Sequence, residues 1–142
     1  MGPAFANEAL YAYADDTLTE RVRLSVEKFA AAAINISELR LTDPEVDGWV
    51  KYASRLDDGE AQALALAAGR GLAILTDDTA GIRLGNEIGV EVVTSLDLAH
   101  SWSATATADG IRAACRRLRH RARFAVPRQS PHADWYRSML DG

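Results

Sequence analysis

Apolar residues in this chain switch between two spacings, and the switches mark its elements. The pattern is densest between Leu56 and Trp102, LDDGEAQALALAAGRGLAILTDDTAGIRLGNEIGVEVVTSLDLAHSW, which predicts helix, strand, helix, strand, helix. Gly59-Glu60 opens the first helix. Ala61, Ala63, Leu64, Ala65, Leu66, Ala67 and Ala68 leave it almost no polar face, so it should be largely buried. Gly69 and Gly71 bracket its end, as a C-cap region requires. Leu72–Leu75 is a short apolar run without alternation, the pattern of a strand covered on both faces. It stops at Thr76-Asp77-Asp78. An amphipathic stretch, Thr79–Ile88, then leads through Gly89 into the strand Val90–Thr94. Strand, helix and strand with tight joins predict a right-handed parallel crossover.

Upstream, Pro3 stands where a helix start tolerates its missing N–H, and a helix is predicted over Ala4–Tyr13, ended by Asp15-Asp16. Leu18–Ala33 contains a second helix whose start is open, since Val22, Leu24 and Val26 alternate like a short strand. Ile34-Asn35-Ile36 reads equally as an edge strand or a bend. Thr42-Asp43-Pro44-Glu45 opens a helix with a cap, a proline and a first-turn acid, carrying Val46, Trp49, Val50 and Ala53 on one face. Downstream, Ser103–Asp109 is a spacer of small residues before a helix over Ile111–Arg121. On that helix Ile111, Ala114, Cys115, Leu118 and Ala122 form one packing stripe. Val126-Pro127 breaks it, and Ala133–Leu140 is a closing helix with Trp135, Tyr136 and Met139 available to pack.

At 142 residues the length predicts one domain with no room for a second sizeable core. No apolar run approaches a membrane span, and no basic-then-apolar signal opens the chain. The lone cysteine, Cys115, excludes an internal disulfide and fits a reducing cytoplasm. His100, His120 and His132 are scattered and give no zinc spacing. The net charge of −4 hides an asymmetry: residues 1–100 hold 17 acids against 8 bases, whereas 101–142 hold 3 acids against 8 arginines. An acidic body therefore carries a basic C-terminal extension, 108–142.

Element lengths determine where the acids gather. A helix of about eleven residues rises roughly 16 Å, and a strand of about five spans roughly 17 Å. Helix and strand run in opposite senses, so Glu60 and the Asp77-Asp78 pair return to one level. That level is the carboxyl end of a parallel strand, where open α/β sheets bind ligands. Converging carboxylates repel, and a divalent cation with oxygen preference relieves them.

These residues resemble the C-terminal half of a PIN domain, the metal-dependent ribonuclease fold found in toxins of toxin–antitoxin pairs. The resemblance rests on the GE-x-x-A-x-x-L-A start, a strand ending in T-x-D, the Gly-Val strand and the Thr-Ser-Leu helix, and it covers 56–102. Glu60 and Asp78 keep the family's spacing of about eighteen residues. A weaker match is Pro3-Ala4-Phe5-Ala6-Asn7-Glu8, where the family carries an acid in a P-x-x-x-x-E pattern. The resemblance implies a single three-layer α/β domain with a mainly parallel sheet flanked by helices. It also implies hydrolysis of RNA with Glu8, Glu60 and Asp78, and Asp77 beside them, holding Mg2+ or Mn2+. Homodimerisation and silencing by an antitoxin protein are further implications, with no membrane involved.

PIN domains open with a central strand ending in the first metal-binding aspartate, and no such strand precedes Pro3. Its absence would expose the edges of two neighbours, at about 1–3 kcal/mol per unpaired buried group. Three readings account for it: a start recorded inside a longer gene, a strand supplied by a partner subunit, or a reduced member whose sheet closes differently. Each acid also has a plainer role. Glu60 with Asp57 makes a capping box, Asp77 or Asp78 caps the next helix, Glu8 is a solvated helix face, and Asp97 is a first-turn dipole partner. Arg112, Arg116, Arg117, Arg119, Arg121 and Arg123 place six guanidiniums in twelve residues. They suit phosphate, and equally a solvated face or an acidic partner. The tryptophans are expected in cores or contacts rather than stacked on bases. The function expected is metal-dependent RNA hydrolysis; the alternative is an inactive PIN-like module that binds nucleic acid or protein.

Overall fold

Helix by helix, the chain follows its capping signals. In the computed structural model, residues 11–13, 21–23, 39–127 and 130–141 are described. They fall into two compact units, one of residues 39–94 and the other of 11–13, 21–23 and 95–141.

In the first unit, helix α1 (Asp43–Tyr52) begins at the N-cap Thr42, whose N–H donates to Glu45 Oε2 at 2.7 Å. Helix α2 (Asp58–Arg70) is capped by Asp57 and ends at Gly71, whose φ of 63° is the left-handed C-cap that glycine adopts without a Cβ penalty. Strand β3 (Ile74–Leu75) pairs in parallel with β4 (Val92–Val93), Ile74 opposite Val92, and helix α3 (Thr79–Glu87) connects them. Leu56, Ala61, Leu64, Ala67, Ile74, Leu84 and Val90 form the core, with Trp49 and Tyr52 packed against it. The parallel crossover expected of this stretch is present.

Two expectations here are corrected. The face of α1 that packs down is not Val46–Trp49–Val50–Ala53, because Val46 and Val50 are exposed. It is Glu45, Gly48, Trp49 and Tyr52. A Cβ on Gly48 would lie 3.4 Å from Ala65 Cβ, so the helices approach through small residues. Strand β3 is not covered on both faces either. Ile74 points into the core while Leu75 is 58% exposed, since the described sheet has only two strands and one packed face. Helix α2 buries Ala61, Leu64, Ala65, Leu66 and Ala67 as expected, leaving Ala63 and Ala68 exposed.

In the second unit, β1 (Tyr11–Tyr13) and β2 (Arg21–Arg23) pair antiparallel, Ala12 opposite Val22. Tyr11–Tyr13 were expected at the end of a helix over Ala4–Tyr13, whereas Arg21–Arg23 fall where the start of the helix within Leu18–Ala33 was left open between helix and strand. Tyr and Val favour strands, and Val22 belongs to the alternation Val22, Leu24, Val26 already noted. The rest of both predicted helices lies outside the described residues, as do Ile34–Ile36. Helices α4 (Ser95–Trp102), α5 (Ala108–His120) and α6 (Ala133–Asp141) surround a core of Leu96, Ile111, Cys115 and Tyr136. The Tyr136 hydroxyl donates to the Cys115 carbonyl at 3.1 Å, and the Phe124 ring meets Tyr136 edge-on. The described residues thus form two buried clusters, one in each unit. The reason is local: the α5 stripe finds its partners on α4 and α6.

The described residues are mixed α/β and mainly helical, with a two-stranded parallel sheet and a two-stranded antiparallel one. None of their helices is long and apolar enough to cross a membrane.

Candidate functional site

The carboxyl end of β3 is where the predicted acids can be compared with their positions. Asp57 accepts from the Glu60 N–H at 2.9 Å, fixing the first turn of α2. The Glu60 side chain, one turn into that helix, brings Oε1 within 3.5 Å of the Thr76 hydroxyl, which donates to it. Thr76 Oγ1 in turn accepts from the Asp78 N–H at 3.1 Å. Asp78 is the N-cap of α3, its Oδ1 accepting from the Ala80 and Gly81 N–H groups at 2.7 and 3.0 Å. One hydroxyl therefore touches the Glu60 carboxylate on one side and the Asp78 backbone N–H on the other.

Gly81 stands between the two carboxylates. Its N–H binds Asp78, and a Cβ there would lie 3.6 Å from Glu60 Oε1 and 3.3 Å from Thr76 Cγ2. Only a residue without a side chain leaves this space open. Glu60 is half-buried and Asp78 exposed, so the pair borders solvent. The neighbouring Asp77 is exposed as well. Glu8 lies outside the described residues.

Carboxylates beside a hydroxyl form an oxygen donor set, which suits hard cations such as Mg2+ and Mn2+ and does not suit zinc. Mg2+ keeps several waters and takes one or two carboxylates together with substrate phosphates. Glu60 and Asp78 fit that requirement. Among the described residues no three His, Cys, Asp or Glu side chains gather closely enough to hold a metal by themselves. Asp97 is in the second unit, in the first turn of α4, where its Oδ1 lies 3.3 Å from His132 Nε2. The His132 ring stacks on His100 at 3.9 Å between centroids.

The residue missed from sequence is Thr76, whose hydroxyl donates to the Glu60 carboxylate and accepts from the Asp78 backbone N–H. Its signal was its place as the first letter of the T-x-D ending. A buried charge was also missed. Glu45 is 6% exposed and binds Arg70 Nε at 2.6 Å and Nη2 at 2.9 Å, while Arg70 Nη2 also donates to the Arg40 carbonyl. The Arg70 guanidinium and the Thr42 N–H hold the Glu45 carboxyl down at about 2. This pair joins α1 to α2 and lacks the open carboxylate that metal binding requires.

The arginine helix packs as predicted through Ile111 and Cys115, with Ala114 and Leu118 half-buried. Ala122 leaves the stripe because α5 ends at His120, and Arg123 turns into the left-handed region. Arg112 reaches Asp109 at 3.9 Å, and Arg121 is the C-cap. Arg116, Arg117, Arg119 and Arg123 make no side-chain hydrogen bond or ion pair among the described residues. Burial pushes the Cys115 thiol up, which makes it unreactive packing material. Trp49 packs on the first core and Trp135 on the second, while Trp102 is half exposed.

Compared with known proteins, the chain matches no family model, and no curated protein or solved structure is detectably similar to it.

Proposed function

We propose that this chain is a PIN-like, metal-dependent ribonuclease, a three-layer domain acting in the cytoplasm as a homodimer and open to control by an antitoxin protein. The observation that supports it is the Thr76 hydroxyl that touches both the Glu60 carboxylate and the Asp78 backbone N–H at the carboxyl end of β3. Nothing in ordinary helix capping requires the Glu60 carboxylate to approach a hydroxyl beyond its own helix.

In this reading Glu60 and Asp78, with Asp77 beside them and Glu8 from the N-terminal segment, hold one or two Mg2+ or Mn2+ ions. An ion held there would supply a water of lowered pKa and offset the negative charge developing on the phosphate oxygens. The chain's own contribution is positional. Thr76 donates to Glu60 and so orients that carboxylate, as hydrogen-bonded neighbours orient metal ligands generally. Two N–H groups of α3 hold Asp78 Oδ1, leaving Oδ2 for solvent or a ligand. The positive end of the α3 dipole lies at the same place and favours a phosphate there. The face of α5 that carries Arg116 and Arg119 would hold the RNA backbone.

The experiment is cleavage of a fluorogenic RNA with and without Mg2+. Activity that needs the ion and is lost in Glu60→Gln and Asp78→Asn supports the reading; divalent-dependent cleavage that persists in the double variant contradicts it. The second reading, a non-catalytic module that binds RNA or protein, draws on the absence of any group of three metal-ligating side chains among the described residues. A parent protein that binds RNA and cleaves none would favour it.

A further inference from the structure

The arginines of α5 are not equivalent, and the second unit shows why. Arg116, Arg119 and His120 follow one another at i, i+3 and i+4, so they share one face of the helix. That face borders an open groove of about 500 Å3, completed by Arg137, Leu140 and Asp141 from α6. Among the described residues, three guanidiniums on two helices thus line one space together with a single carboxylate, that of Asp141. Arg117 and Arg123 do not line it.

We infer that the α5–α6 groove, lined by Arg116, Arg119, His120 and Arg137, is a binding site for the phosphodiester backbone of single-stranded RNA. The ligand's identity as RNA rests on the ribonuclease reading; the groove itself does not.

Three observations carry the inference. Arg116 and Arg119 are exposed and have no hydrogen-bond or ion-pair partner among the described residues. Arg137 commits Nη1 to Asp134 at 2.5 Å and keeps its other N–H groups. The volume exceeds that of one phosphate and falls within the range of ligand pockets, on the order of 300–1,000 Å3. An acidic protein would also meet the charge. Protein interfaces, however, are built on apolar and aromatic anchors, and this groove offers only Leu140. Guanidinium forks match phosphate oxygens in pairs, and nothing in the groove reads bases.

The test is fluorescence anisotropy of a labelled 12-nucleotide RNA of mixed sequence in EDTA, which separates binding from any cleavage. The full chain is compared with Arg137→Ala, with the triple variant Arg116→Ala/Arg119→Ala/Arg137→Ala, and with Arg117→Ala/Arg123→Ala as control. The parent should bind with affinity that falls as salt rises. Arg137→Ala should weaken binding about tenfold, and the triple variant should reduce the salt slope by about 2. The control should bind nearly as the parent does. Melting temperatures of all variants should match, since every substituted side chain lies at the surface. Parent-like binding by Arg137→Ala, an equal loss in the control, or no binding by the parent at low salt would overturn the assignment. So would equal affinity for a labelled poly-glutamate peptide with the same dependence on Arg137, which would assign the groove to an acidic protein. Loss of RNA binding here says nothing against metal-dependent cleavage, and loss of cleavage leaves the anisotropy result standing.

Discussion

At Asp78 one side chain caps a helix and carries a charge, and asparagine separates the two tasks. Asn caps about as well as Asp, whereas alanine at an N-cap costs about 1 kcal/mol. Asp78→Asn should therefore leave the urea midpoint nearly unchanged and abolish Mg2+-dependent cleavage, while Asp78→Ala loses both stability and activity. A role limited to capping predicts full activity in Asp78→Asn. Thr76 allows a complementary test. Thr76→Val keeps the branched shape and removes the donor that orients Glu60. Losing such a support to a metal ligand commonly costs about 10–100-fold in metal affinity or activity. A Mg2+ titration of the cleavage rate should show half-saturation shifted upward by about that factor, and an unshifted titration would remove Thr76 from the site.

Between elements, the Glu45–Arg70 pair holds α1 against α2, and its acid response follows from the direction of the shift. Glu45 is held at about 2 in the folded chain, below its ordinary 4.5. A depressed carboxyl contributes stability above the unfolded value, and that contribution is lost as pH falls from about 4.5 toward 2. The melting temperature should fall through this window, and Glu45→Gln should flatten that part of the profile. The same contact makes Gly69 sensitive. A Cβ there would stand 2.9 Å from Glu45 Cγ, so Gly69→Ala should push Glu45 off Arg70, lower the melting temperature at neutral pH and flatten the acid part of the profile as Glu45→Gln does. Neither effect was legible in the sequence, because Glu45 and Arg70 look like ordinary first- and last-turn charges on separate helices. What was legible at this scale was punctuation. The Thr42 cap, the Gly71 C-cap and Asp78 at the head of α3 each stand where an element starts or stops. Strands two or three residues long gave too little pattern to be bounded, so β1 read as helix, β2 stood open between helix and strand, and β3 read as longer than it is.

At the scale of the whole chain, the acids and the arginines separate by unit. Glu60 and Asp78 belong to the first, the arginines of α5 and α6 to the second. The charge asymmetry along the sequence foreshadowed that separation, but the two cores did not show, since Ile111, Cys115 and Tyr136 could have packed on any apolar face. Leu64 is fully buried at the centre of the first core. Leu64→Ala should cost about 2–5 kcal/mol in urea unfolding, and a smaller loss would show a looser core than the one described. That Glu60 lies at the level of the end of β3, within reach of Thr76, was foreseeable from helix and strand lengths. The hydrogen bond from the Thr76 hydroxyl was not, because no pattern tells which way a hydroxyl turns. The account is tested most directly by one assay, RNA cleavage by the chain stripped with EDTA and then given Mg2+ or Mn2+, beside Glu60→Gln/Asp78→Asn. The predicted result is cleavage that returns only with the ion and only in the parent. Cleavage by the double variant at the parent's rate, or cleavage that EDTA leaves untouched, would contradict it.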